Sequence, residues 1–352
     1  MINSKINTKK TGDEEMQRER TPRRRMRTVL VILAIFAVAA SAVLIFRAVK
    51  SAREKAYLAS FGTPAGTVGG YTVPFDLYRA FYLNYRAQMK NSMTDRAALD
   101  RAVRARTEEA LCGLYGTVSL AASVSLFPTD SDVKVAAAEN LDAVKTYYDE
   151  SAMDFTQKLE KEHMTESVYA YLLTVDALEE KLFLKLKADG AIPTDDAALL
   201  DALCADGVLH LSWIWIEDGR GERHEDNRAV AEEALAELKG GAPYALICAR
   251  YSEDGQMDAS GAYLCYGEMP KAAYTAAQGL AEGEYSGVLE ETDGYRIVCR
   301  LAKDEAYILE NFDDLKAAYQ SGVLYQKIEG ARDGLVFVES DYLRGLSGED
   351  IH

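Results

Sequence analysis

GVLHLSWIWI, residues 207–216, separates two kinds of pattern in this chain. Its β-branched and aromatic content reads as a strand. Trp213 and Trp215 alternate with Ile214 and Ile216, so the two tryptophans, the only ones in the chain, share one face. A polar loop, EDGRGERHEDN, comes next, then a helix from Arg228 to Lys239 closed by Gly240-Gly241. A second short helix is expected at 243–252. After it come a loop, a short helix at 269–281, and two closing strands, near Gly287-Val288 and from Tyr295 to Leu301. The order β-α-α-β-α-β-β describes a small mixed unit.

Before 207 the period is helical. A strand-like segment, Gly66 to Val73, leads to Pro74, which opens a helix that Asp76 can help cap. In FDLYRAFYLNYRAQM, Leu77, Phe81 and Tyr85, together with Tyr78 and Tyr82, recur at i, i+4 and i+8, giving an aromatic helix face. Further helices are expected at about 96–125, 130–160 and 165–188, the last capped by Thr165. Strand patterning is almost absent from 76 to 188, so this part is an all-α domain. Gly190 and Pro193 end it, and an Asp-rich linker leads to the strand at 207. Helix returns after 303, with Phe312, Leu315, Tyr319 and Leu324 spaced for one face.

Charge is distributed unevenly. Residues 1–55 hold 13 Lys/Arg against 5 Asp/Glu, so 56–352 hold 27 against 51, a net charge of −24. A body this acidic repels phosphate backbones, which argues against nucleic-acid binding. From Thr28 to Phe46 run 19 uncharged residues, TVLVILAIFAVAASAVLIF. As a helix they would be about 28 Å long, close to the roughly 30 Å hydrocarbon core. Six arginines between Arg18 and Arg27 keep that end in the cytoplasm and put the body outside. A cleaved signal peptide is the competing reading, because Ala37-Val38-Ala39 and Ala40-Ser41-Ala42 have the small-x-small form. The apolar run continues past both to Phe46, which favours an uncleaved anchor. The five cysteines form no CxxC pair, and Cys248 and Cys299 sit among apolar neighbours as small hydrophobes. With no GxGxxG, P-loop or HExxH, no metal, nucleotide or organic cofactor is expected.

Four stretches give the unit at 207–303 a resemblance. GVLHLSWIWI stands where a first strand would be. AEEALAELKGGAPYALICARYSEDG resembles a helix, a glycine pair and "F-x-x-LA-x-x-YS-x-D". GAYLCYGEM resembles a glycine-rich loop ending in "G-x-M", and LAEGEYSGVLEETDGYRIV resembles "L-x-x-GE-x-S-x-PV-x-T-x-x-GYHII". Together they resemble the parvulin (PpiC-type) peptidyl-prolyl isomerase domain. The helices beginning VGGYTVPFDLYRAFYLNYR and the returning helix are similar to the chaperone part of extracytoplasmic PrsA- and SurA-like foldases. The expected architecture is α+β. It comprises a cytoplasmic basic segment (1–27), a transmembrane helix (28–47), a linker (48–65) and a helical chaperone-like domain (66–200). An inserted parvulin-like α/β domain with a small antiparallel sheet (207–303), a C-terminal helix packing on the helical domain (310–335) and a tail (336–352) complete it.

The resemblance implies peptidyl-prolyl isomerisation, a reaction that breaks no bond. Its barrier, roughly 18–20 kcal/mol, is the double-bond character of the amide. A catalyst lowers it by binding the twisted amide better than the planar one. The family is understood to use an apolar proline pocket beside a polar cluster with two histidines and an Asp or Cys. Asp254 matches the Asp/Cys position, and Met269 the pocket methionine. Leu264 and Tyr274 are taken as further substrate-binding walls. Trp213 falls on the first histidine and Arg296 on the second, while Ala273 and Gln278 replace the pocket phenylalanines. His210, three residues before Trp213, points to the opposite face. The tryptophans would then fill the former cavity or offer an aromatic platform to a peptide. Implied partners are unfolded or proline-containing exported polypeptides, and a homodimer is compatible with the reading. Two functions remain open: an isomerase foldase, or a non-catalytic chaperone or envelope-assembly scaffold.

Overall fold

The structure, a computed structural model, describes Val49, residues 62–217 and residues 227–351 apart from positions 91, 92, 94, 152 and 292. The basic segment 1–27, the expected membrane span 28–47 and most of the linker 48–65 lie outside the described residues. Among those described, no helix is long and apolar enough to cross a membrane.

The first strand-like segment is a hairpin. β1 (Pro64–Val68) and β2 (Tyr71–Pro74) pair antiparallel around Gly69 and Gly70, whose φ values of 56° and 83° are open to glycine. Helix α1 (Phe75–Met89) starts at Pro74, and Asp76 sits in its first turn without making a capping bond. Next come α2 (Arg96–Ser123), α3 (Ser131–Glu150), α4 (Phe155–Lys161) and α5 (Glu166–Ala188). The helix expected over 130–160 is thus two. Asp154 accepts the N–H groups of Thr156 and Gln157 and starts α4 as a separate element. Thr165 caps α5 through the Val168 N–H. The Asp-rich linker contains α6 (Asp196–Ala202), capped by Asp195, and a π turn, Leu203–Gly207.

The second unit follows the expected order. β3 (Leu209–Glu217), α7 (Asn227–Lys239), α8 (Tyr244–Tyr251), β4 (Ala262–Leu264), α9 (Lys271–Gln278), β5 (Leu289–Glu291) and β6 (Gly294–Arg300) form an antiparallel sheet in the order β4-β3-β6-β5 with its helices. One face, with Ile214, Ile216 and Ile297, is covered by α7 and α8 through Leu235, Leu238 and Ile247. The other face is covered by α9 only over Leu209, Leu211 and Val298. Trp213 packs at the margin of this cluster, and the part carrying Trp215 and Arg296 lies outside it.

The chain then returns through α10 (Glu305–Glu310) and α11 (Phe312–Arg332). Helix α2 is the hub of the helical part, lying against α1, α5 and α11. Leu77, Tyr78 and Tyr82 of α1 are buried, whereas Phe81 and Tyr85 are half-buried and stack on each other. Of the stretch 336–352, expected to be a tail, the described residues 336–351 are built into this core. It forms β7 (Phe337–Glu339), which pairs with β1, and α12 (Asp341–Arg344). Phe337 stacks on Tyr78, and Arg86 and Arg104 donate to the carbonyls of Gly348 and Leu346. A shared core of Leu203, Val208, Cys265, Ile308 and Leu315 seats the sheet unit against the returning helices.

Candidate functional site

The site begins with strand register. Trp215 lies opposite Arg296 and Trp213 opposite Val298, so directly opposed and diagonal neighbours put both indoles and the guanidinium on one face. The Arg296 guanidinium stands 4.8 Å from the centre of each tryptophan ring. Such cation–aromatic contacts contribute about 0.5–2 kcal/mol each, most where water is excluded. Across the β5–β6 hairpin, Glu291 accepts the Arg296 Nε–H at 2.7 Å and a terminal N–H at 3.1 Å. The Arg296 side chain is only 11% exposed, so this is a nearly buried, forked ion pair.

The loop after α8 brings Asp254 to the same place. β4 pairs with β3 only over Leu209–Leu211, which leaves the edge of the tryptophan-bearing half unpaired. The YSED segment covers it. Ser252 Oγ accepts the Trp215 N–H, the Glu253 N–H donates to the Trp215 carbonyl, and Glu253 accepts the Glu217 N–H. This zipper delivers Asp254, whose carboxylate accepts the Trp213 indole N–H at 2.8 Å and the Gln256 N–H at 2.9 Å. Partial burial pulls the Asp254 carboxyl upward. The Gln256 N–H, the Trp213 indole, the Met257 N–H and the Arg296 charge outweigh it and hold the group below the usual carboxylate range. A cleft of about 340 Å³ opens between this loop, Trp215 and Arg296.

The expected pocket residues meet beside these groups. Met269, Tyr274 and Ala273 are buried in one cluster with Leu209, Leu211 and Val298, and Trp213 and Leu264 pack on it. Met269 is 8% exposed and Tyr274 2%, so both are core side chains rather than the walls of an open slot. Tyr274 meets Tyr266 edge to face, at 5.3 Å between ring centres. Ala273 faces this core and Gln278 is exposed to solvent. His210 stands apart, as its face predicts. Its ring nitrogens contact the carbonyls of Ala302 and Ser260, and its ring stacks on Tyr263. Sequence reasoning missed Glu291, Glu253 and Tyr266. The available signal for Glu291 was an opposite charge five residues before Arg296, between the two expected closing strands.

Together these features define an α-helical domain carrying an inserted antiparallel sheet unit, with a polar-aromatic cluster on the open half of the sheet. The chain is similar to PrsA- and SurA-like proteins of the parvulin type. It is 16% identical to PrsA from Bacillus subtilis, covering 77% of this chain and 92% of that chain at a TM-score of 0.26. It is 18% identical to the foldase protein PrsA from Streptococcus pneumoniae, covering 80% and 97% at 0.30. A SurA-like chaperone of Campylobacter jejuni matches at 12% identity, covering 80% and 100% at 0.25. No family model matches the chain, and no curated protein matches it.

Proposed function

We propose that this chain is a chaperone of the parvulin foldase type, tethered to the membrane by residues 28–47. On this reading it binds unfolded exported polypeptides and no longer isomerises prolyl bonds. One observation carries the loss of catalysis: the groups at the family's polar positions are locked to one another. Arg296 is clamped by Glu291 and stacked on both tryptophans, and Asp254 is held by Trp213.

Isomerisation needs an apolar slot for the proline ring and a polar cluster that responds to the amide as it twists. The burial of Tyr274, 2% exposed, supports a filled slot. A forked guanidinium has little freedom to follow the substrate carbonyl, and among the described residues no histidine lies within the cluster. What the face still offers a peptide is indole surface and the cleft beside Asp254. The competing reading, an active isomerase, is favoured by Asp254 and Met269 standing where the family has its own residues.

A coupled prolyl-exchange assay decides between the two. At high protein concentration the exchange of an X-Pro peptide should stay within about twofold of its uncatalysed rate, which runs over tens to hundreds of seconds. Aggregation of a chemically unfolded client should be suppressed in the same preparation. Acceleration well beyond twofold would overturn the non-catalytic reading, and unchanged client aggregation would overturn the chaperone.

A further inference from the structure

A second concavity lies away from the tryptophan face. It has a volume of about 620 Å³ and runs between α5, α11 and the turn that joins β4 to α9. Its apolar lining comes from Phe183, Tyr266, Leu324 and Tyr325, with the Tyr266 and Tyr325 rings 6.0 Å apart. Tyr325 is 45% exposed although large and aromatic. The two domains approach closely at Gly322, where any Cβ would stand 2.7 Å from the Tyr266 carbonyl oxygen.

The charge along this groove has one sign. Asp176, Glu179 and Glu180 stand at i, i+3 and i+4 on α5, so they share a face, and Glu268 projects from the opposite wall. Among the described residues that line the groove none is a lysine or arginine, and the cation nearest its rings is Lys187, 4.9 Å from the centre of the Phe183 ring. Burial pushes the Asp176 carboxyl up, and the Glu180 charge adds to it. Burial also pushes Glu179 up, opposed by a hydrogen bond from Thr117 and reinforced by Asp176. Like charges three and four residues apart cost a helix about 0.2–0.5 kcal/mol per pair, a cost that a cation held in the groove would offset.

We propose that this groove receives a segment of an unfolded client in which a lysine or arginine stands next to an aromatic or large aliphatic residue. The cation fits the carboxylates of α5, and the apolar neighbour fits the surface between Tyr266 and Tyr325. This inference rests on the chaperone reading and names the chemistry of the client segment that is held. An acidic or purely apolar segment meets only one of the two features.

Fluorescence anisotropy with the full chain in detergent tests it. Three unstructured peptides of equal length serve as probes: one with Arg-Phe and Lys-Leu pairs, one with glutamates replacing the cations, and one with serines replacing the apolar residues. The first should bind about tenfold more tightly than either of the others, in line with charge-assisted contacts. Asp176→Asn/Glu179→Gln/Glu180→Gln should weaken the first peptide about tenfold and leave its preference over the serine peptide intact, whereas Tyr325→Ala should remove that preference and leave the one over the glutamate peptide intact. Each substitution is near-isosteric and removes repulsion, so the variant should fold. Equal binding of the first peptide by the wild type and the triple variant overturns the groove assignment. So does a change in oligomeric mass in the triple variant, which would make the occupant a second copy. If no peptide binds and no client is protected, the chaperone reading itself fails.

Discussion

On the sheet face, Glu291 grips Arg296 in a fork and Asp254 receives the Trp213 indole N–H, whereas along the groove Asp176, Glu179 and Glu180 face one another. The two regions belong to one acidic body, yet the first neutralises its carboxylates within the fold and the second does not. Charges paired inside the fold hold structure together. Charges left adjacent to one another cost stability and are available to a partner.

The sharpest way to break this contrast is Arg296→Ala. It strands the nearly buried Glu291 carboxylate and removes the cation from two indoles, so it should cost about 3–5 kcal/mol in urea unfolding. A loss below about 1 kcal/mol would mean that the clamp is a surface pair of ordinary weakness.

Trp213→Phe is a gentler probe, because it keeps a ring beneath the guanidinium and removes only the donor to Asp254. We expect a loss of about 1 kcal/mol at neutral pH. The pH profile should move as well. Asp254 has a depressed folded carboxyl, so its contribution is present above the ordinary carboxylate range, about 4, and is lost as pH falls through the lower folded value. Without the indole that loss should be smaller and should be complete at a higher pH. An unchanged acid limb would show that Trp213 does not hold the carboxylate.

The smallest effect should have the opposite sign. Asp176→Asn should stabilise the protein by about 0.2–0.5 kcal/mol near neutral pH by relieving repulsion. The Asp176 carboxyl is raised in the fold, so its favourable contribution is present below the unfolded value, about 4, and disappears as pH rises through the folded one. The gain from the asparagine should therefore vanish in acid. Destabilisation at neutral pH would erase the difference between the two regions.

The element order of the second unit was legible because Trp213–Ile216 alternate at period 2 while Arg228–Lys239 run at helical period, and Gly240-Gly241 closes the helix between them. The helical character of the first domain was readable for the same reason. The break before α4 was not, since it depends on the Asp154 carboxylate accepting the N–H groups of Thr156 and Gln157. Nor was the role of 336–352. Phe337 has no periodic neighbours to mark it, and its partner Tyr78 lies far back in the chain. At the site, the shared face of Trp213 and Trp215 followed from strand alternation, and Asp254 and Met269 followed from the resemblance. The pairing of Arg296 with Glu291 needed the hairpin register, and the burial of Tyr274 needed the packing of α9.

Local pattern was enough to establish the succession of helices and strands, the acidic body and the face on which the tryptophans stand, because backbone periodicity and charge are properties of neighbouring residues. Tertiary structure alone decided that the sheet-face charges close on one another and that α5, α11 and the β4–α9 turn leave an acidic, aromatic groove. Those outcomes depend on distances between segments remote in the chain, where a few ångströms separate a neutralised ion pair from an unpaired charge.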